Sequence, residues 1–279
     1  MAGLLFGTGG VPISSAERST ISGIERISEL GLDCMEVEFV HGVTMGEVTA
    51  NQVSETAKRL GIVLSVHAPY FINFNALEVE KRKGSRRRLL QSARIGALCG
   101  ARNIVFHAAF YLGNEPQKVF DAVRDELAEI VRMLKAEKSP VCLRPEVTGK
   151  NSQFGDIEET LDLCLAVPGL LPCLDVAHWH ARTGKFNTYD EIMQVLKLFE
   201  TKLGRTGLDD MHIHFSGIAY GKSGEIKHLP LKESDMNYVE ILRVLKDFDA
   251  KGLVICESPN LEEDGLLLKE TYKALTKKS

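Results

Sequence analysis

Short β-branched or apolar runs bounded by Gly, Pro and Asn recur along the whole chain, and the segments between them repeat apolar residues at helical spacing. The runs predict eight strands, over residues 4–8, 34–39, 63–68, 103–108, 141–147, 171–177, 211–215 and 253–258. Between them, Ile21, Ile24, Ile27 and Leu30 share one helical face, as do Val119, Val123, Leu127, Ile130 and Leu134, and again Tyr238, Ile241, Leu242 and Leu245. Several helices are expected to stop at a glycine, at Gly31, Gly61, Gly100 and Gly252, because a residue without Cβ enters a left-handed cap at little cost. No linker, charge block or low-complexity tract interrupts the alternation of strand and helix. The expected fold is α/β, a single (β/α)8 TIM barrel over residues 1–279.

Composition narrows the class without naming a function. The chain has 279 residues, 44% of them hydrophobic, with 34 Lys and Arg against 38 Asp and Glu, which excludes disorder and collagen-like repetition. No apolar run approaches the roughly 20 residues of a membrane-spanning helix. The stretch from Met1 to Gly10 lacks the charged region and long apolar run of a secretory leader, so the cytoplasm is the expected compartment. The six cysteines form no C-x-x-C pair, and neither a disulfide framework nor a zinc ribbon is expected. A formal net charge of −4 means that an anionic partner must meet a locally positive site.

In such barrels the active site is built at the carboxyl ends of the strands. There the sequence reads Val66-His67-Ala68-Pro69, Phe106-His107-Ala108, Arg144-Pro145-Glu146, Leu174-Asp175-Val176-Ala177-His178, His212-Ile213-His214, Lys227-His228 and Cys256-Glu257. A lone histidine on a buried strand is more often a hydrogen-bonded core residue than a ligand. Here six of the eight histidines fall on one rim, which scattered core residues would not do. Burying Glu146, Asp175 and Glu257 in apolar strands would cost several kcal/mol each unless cations or hydrogen bonds compensated them. Mixed imidazole and carboxylate suits zinc, manganese or iron. Strand alternation sends His212 and His214 to the same face, with His214 nearer the top as the ligand and His212 supporting it.

These residues, in this order, resemble the endonuclease IV family of apurinic/apyrimidinic endonucleases, within the xylose-isomerase-like barrel superfamily. The resemblance runs along essentially the whole chain, most clearly at His67-Ala-Pro-Tyr70-Phe-Ile-Asn73, Gly149-Lys-Asn-Ser-Gln-Phe-Gly155, Cys173-Leu-Asp175-Val-Ala-His178 and Cys256-Glu257-Ser-Pro259. It implies a first zinc on His67, His107 and Glu146, a second on Glu146, Asp175, His214 and Glu257, and a third on His178 and His228. Two to three Zn2+ per chain are expected, with Mn2+ or Fe2+ able to take some sites. The family's Asp two residues before the last histidine is replaced by Ile226, preceded by Glu225, so Glu225 through a shifted loop, a water, or a weaker site are the alternatives. The loop Val40-His41-Gly42-Val43-Thr44-Met45 also lacks the longer, Arg-containing insertion of the family's bacterial members.

What the resemblance implies is metal-dependent hydrolysis of the DNA phosphodiester 5′ to an abasic site, with Glu146 at the catalytic centre and damaged double-stranded DNA as partner of a monomeric enzyme. Tyr70, Phe71, Asn73 and Lys150 are the candidate substrate contacts; Tyr70 and Phe71 either wedge beside the flipped-out sugar or simply cap the core. Lys81-Arg82-Lys83 and Arg86-Arg87-Arg88 offer phosphate contacts or a solvated helix start, and Lys222 has a weaker claim. The main alternative is a sugar isomerase or epimerase of the same superfamily, which needs one ion on the tetrad Glu146, Asp175, His214 and Glu257 and no ligands at His67, His107 and His228. A non-catalytic barrel that binds damaged DNA or stores metal is the third reading, and open coordination positions argue against it.

Overall fold

The computed structural model describes residues 3–276. Met1 and Ala2, at the head of the stretch read for a leader, lie outside it. Eight parallel strands form one sheet: β1 (Leu4–Gly9), β2 (Cys34–Glu38), β3 (Val63–His67), β4 (Asn103–Phe106), β5 (Cys142–Pro145), β6 (Cys173–Asp175), β7 (Met211–Phe215) and β8 (Gly252–Cys256). Their order is β5-β4-β3-β2-β1-β8-β7-β6, each strand beside its neighbour in sequence. The two ends meet through parallel bridges from Leu143 to Leu170 and from Glu146 to Cys173, which closes the barrel. That closure is the expected (β/α)8 architecture.

The helices α1 (Thr20–Glu29), α2 (Glu47–Leu60), α3 (Val79–Cys99), α4 (Pro116–Ala136), α5 (Ile157–Ala166), α6 (Val176–Thr183), α7 (Tyr189–Leu203), α8 (Thr206–Asp209), α9 (Tyr238–Asp247) and α10 (Glu262–Ala274) connect the strands. The helical faces read from spacing are the packed ones: Ile24 and Ile27 in α1, Val119, Val123, Leu127, Ile130 and Leu134 in α4, and Ile241, Leu242 and Leu245 in α9 are all buried. Each fully buried aliphatic side chain contributes about 1.5–3 kcal/mol, so these stripes hold the outer layer to the sheet.

The structure departs from the sequence expectation at three places that bear on the site. The sixth strand stops at Asp175 rather than running to residue 177, because the Asp175 carboxylate accepts the His178 backbone N–H at 2.7 Å and starts α6. Gly61 and Gly100 do cap helices in the left-handed conformation, but Gly252 does not; α9 ends at Asp247 and Gly252 opens β8. Two antiparallel ribbons were not anticipated: Ala109–Phe110 with Gln153–Phe154, and Gly217–Gly221 with Gly224–Leu229, both above the carboxyl ends of the barrel strands. Their residues are short and mixed in polarity, so they carry little period-two signal.

Gly252 is required by close approach. Its φ is +135°, and a Cβ there would lie 1.9 Å from the Met211 carbonyl oxygen across the β7–β8 pair. Strain and overpacking each cost about 1–3 kcal/mol. Gly252→Ala is therefore expected to lower the urea unfolding midpoint with little change in slope; an unchanged midpoint would contradict this register.

Candidate metal centre

The chemistry-bearing side chains sit where each strand hands over to its loop, and backbone pairing sets their heights. Glu146 N–H donates to the Phe106 carbonyl at 3.1 Å and Val147 N–H to Cys173 at 3.0 Å, so the Glu146 side chain enters the mouth between β4 and β6. Glu257 is held likewise by a 2.9 Å bond from its N–H to the Phe215 carbonyl. All eight predicted ligands meet: His67, His107 and Glu146 form one group, Glu146, Asp175, His214 and Glu257 a second, and Asp175, His178 and His228 a third, with the ligand atoms of each group within 4.8 Å of one another.

Glu146 is the hub. Its Oε2 receives His67 Nε2 at 3.0 Å and His107 Nε2 at 2.9 Å, while Oε1 lies 3.1 Å from His178 Nδ1 and 3.4 Å from His214 Nδ1. Burial alone would raise this carboxyl, but the charges of His107 and His214 and the imidazole hydrogen bonds hold it well below the usual range. Burial pushes Asp175 up to about 6. Burial would lower His67 and His178, yet the bond to Glu146 in the first case and the charge of Asp175 in the second bring both to about 10.

Orphaned atoms show what the mouth accommodates. Asp175 Oδ2 and His214 Nδ1 are buried and make no hydrogen bond. His178 Nδ1 faces the Val147 carbonyl and His228 Nδ1 the Glu257 carbonyl, both at 3.2 Å, and the two Nε2 atoms face each other across 3.3 Å. Two such nitrogens attract only through a shared proton or a metal ion. Bare imidazole nitrogens, carboxylate oxygens and open space fit divalent ions.

The ribbon after β7 turns Glu225, and not Ile226, towards the mouth. Its register runs Ala219 opposite Lys227 and then Tyr220 opposite Glu225, a bulge that leaves Ile226 without a partner. Ile226 turns outward, 64% exposed, and Glu225 turns inward, its Oε2 3.5 Å from His178 Nε2. Gly149 makes room: a Cβ there would lie 2.8 Å from Glu225 Cβ and 2.9 Å from His178 Cδ2.

A cavity of about 450 Å³ opens above the ligands, bordered by Tyr70, Lys150, Glu38 and Glu225 among others. Tyr70 and Phe71 are 52% and 57% exposed, so they do not cap the core; Phe71 lies 6.1 Å from the His41 ring on the rim. Lys150 reaches the cavity on a loop pinned by Arg182, whose Nη1 donates to Thr148 Oγ1 at 2.9 Å and to the Gln153 carbonyl at 3.0 Å. Asn73 does not line the cavity; its Oδ1 accepts the Asn75 and Phe110 N–H groups and braces the loop. Much of the basic run is internally paired, Lys81 with Glu78, Lys83 with Glu80 and Arg86 with Glu126, while Arg82 and Arg88 bond rim carbonyls. Lys222 sits in the ribbon turn.

Two acids escaped the sequence reading. Glu36 is buried beneath His212 and His214, and half-buried Glu38 borders the cavity, its carboxyl pushed up by burial to about 8. Their alternation in Met35-Glu36-Val37-Glu38 sends both to the barrel interior, a signal that was present in a strand short of other polar residues.

At pH 7, His67 and His178 carry protons that a divalent ion must displace, so affinity should rise with pH towards 10. Titration calorimetry in buffers of different ionisation enthalpy is expected to show net proton release on Zn2+ binding; zero release would contradict it. Glu225→Ala should weaken one ion by at least about 10-fold while Ile226→Ala leaves every ion in place, as read by metal analysis after dialysis.

A profile of the family described as Xylose isomerase-like TIM barrel matches residues 24–278. The chain is 45% identical over 273 residues to the uncharacterized protein MJ0133 of Methanocaldococcus jannaschii, covering 98% of each. Its fold matches endonuclease IV from Thermus thermophilus with a TM-score of 0.73 at 20% identity, covering 96% of this chain and 98% of that one. It matches a D-tagatose 3-epimerase-like protein with a TM-score of 0.69 at 19% identity, covering 95% and 96%. At such identities the two structures speak for a shared fold, and the profile carries the assignment: the chain belongs to the xylose isomerase-like TIM barrel family.

Proposed function

We propose that the protein is a divalent-metal-dependent endonuclease that hydrolyses the DNA phosphodiester 5′ to an abasic site. The observation that carries this reading is the imidazole surplus around the tetrad. Glu146, Asp175, His214 and Glu257 would serve a one-ion sugar epimerase equally well. His67 and His107 on one side of Glu146, and His178 facing His228 on the other, have no work in that chemistry. They suit a cluster of ions gripping a phosphodiester.

The rim supports a macromolecular substrate. Among the described residues, Ile13, Val48, Leu77, Val79, Leu112 and Ile226 join Tyr70 and Phe71 as exposed large apolar side chains in the loops, ribbon and helix starts on the mouth side of the barrel; Leu165, near the end of α5, is exposed elsewhere. A small sugar needs an enclosing pocket, whereas an open apolar collar suits the bases and sugars of a nucleic acid.

Bound divalent ions would supply positive charge to the phosphoryl oxygens and lower the pKa of water. The donor set favours Zn2+, two to three per chain, with Mn2+ or Fe2+ also accepted. Glu146 reaches across the first two ligand groups and sets their spacing. Lys150 approaches from the side and offsets substrate charge in a mouth otherwise lined by Glu38, Glu146, Glu225 and Glu257. Tyr70, tilted against His67 and edge-on to His107, borders the place where an extruded sugar would sit. The products would be a 3′-hydroxyl and a 5′-deoxyribose phosphate, released by a monomer acting on damaged duplex.

A duplex carrying one tetrahydrofuran abasic analogue should be nicked immediately 5′ of the lesion, and a chelator should abolish the nick. His107→Ala and Glu146→Gln should each lower the rate by about 10²–10³-fold, the scale of losing one charge-stabilising group. An intact lesion strand with fully metallated protein, together with epimerisation of a ketose, would sink the proposal.

A further inference from the structure

Below the ligand groups lies a buried polar layer that the hydrolysis does not itself employ. Glu36, on β2, is fully buried; its Oε2 accepts the Ser65 hydroxyl at 2.6 Å and His212 Nε2 at 3.0 Å, and its Oε1 lies 2.8 Å from His214 Nε2. On the far side of the other imidazole, Asn103 Nδ2 lies 3.1 Å from His212 Nδ1. Both nitrogens of His212 are thus engaged within the barrel. Although Cys173, His212 and His214 come close enough to hold an ion, His212 has no nitrogen left to offer one.

A neutral imidazole carries one N–H, and an ionised carboxylate can only accept. His212 meets Glu36 through an aligned hydrogen bond, whereas His214 Nε2 at 2.8 Å is a close charge contact off hydrogen-bond alignment, and an Nε2–H on each ring is the arrangement in which both contacts attract. For His212 this leaves an Nδ1 lone pair that accepts from Asn103. For His214 it leaves an Nδ1 lone pair aimed at the mouth, 3.4 Å from Glu146 Oε1 and 3.3 Å from Glu257 Oε1. We infer that Glu36 is a positioning residue that fixes the His214 tautomer and so makes Nδ1 the ligand atom for the ion on Glu146, Asp175 and Glu257. His212 fills the other half of the same carboxylate and keeps it from rotating away. The inference rests on the metal-centre reading and adds the residue that orients its most deeply buried imidazole.

Removing such a partner behind a metal-bound histidine weakens binding by about 10–100-fold. The test uses the full chain labelled with 15N at histidine and loaded with Zn2+, with long-range imidazole spectra as the first readout and competition titration against a chromophoric chelator as the second. In the wild-type protein His214 should show a protonated Nε2 and a metal-bound Nδ1. Glu36→Gln should weaken one ion by about 10–100-fold, leave the ion on His67 and His107 in place, and disturb the His214 signature; Glu36→Asp, which keeps the charge, should recover part of the affinity. Wild-type affinity with an unchanged His214 spectrum in Glu36→Gln would overturn the inference. So would a wild-type His214 protonated at Nδ1, a result that stands even if the variant fails to fold. Failure of the wild-type chain to bind Zn2+ would instead remove the metal-centre reading on which it rests.

Discussion

A carboxylate buried at the mouth of a barrel has to be compensated, and Glu146 is the point at which this chain meets that constraint. Four imidazoles from β3, β7, α6 and the loop after β4 converge on its two oxygens within 2.9–3.4 Å. No one of these contacts is strong evidence for function, since buried ion pairs often return little more than their desolvation cost. Together they concentrate imidazole nitrogens and carboxylate oxygens at one point. A mouth built this way has the donor set of a candidate metal centre.

The fold is arranged around that concentration. Closure through the Glu146–Cys173 bridge puts the hub residue at the seam between the first and last strands of the sheet, where its height follows from β4 on one side and β6 on the other. Asp175 has two tasks at once: one oxygen starts α6 and thereby aims His178, and the other lies 3.2 Å from His178 Nδ1 at the mouth without a hydrogen bond. Beneath it, Glu36 joins His212 and His214 into a rigid layer that turns one imidazole outward. Support of this kind matters because a ligand that wanders by an ångström forfeits most of its affinity.

Apolar side chains also collect on the mouth side, where a barrel that only needed stability would place charge. Phe71 beside His41 and the outward Ile226 are among them. The cavity beside them mixes four glutamates with four histidines and Lys150, so the charge it presents depends on protons and on any bound cations.

Eight strands, the packed faces of α1, α4 and α9 and the eight candidate ligands were legible in the chain, because a period of two or of 3.6 and a histidine at a strand end are local signals. Asn73, His228 and Ile226 show where locality ends. Asn73 belongs to a signature in the sequence, yet its side chain braces Asn75 and Phe110; His228 reads as a loop residue, yet it stands in a ribbon that carries it over His178. Which of Glu225 and Ile226 faces the mouth was set by one bulge and by the missing Cβ of Gly149, more than seventy residues away. The order of residues determined the barrel and its chemistry, since burial pattern and side-chain type are properties of each short segment. Tertiary structure alone decided which atoms meet, because a bulge, a tautomer and a shared carboxylate arise only when distant segments press against one another.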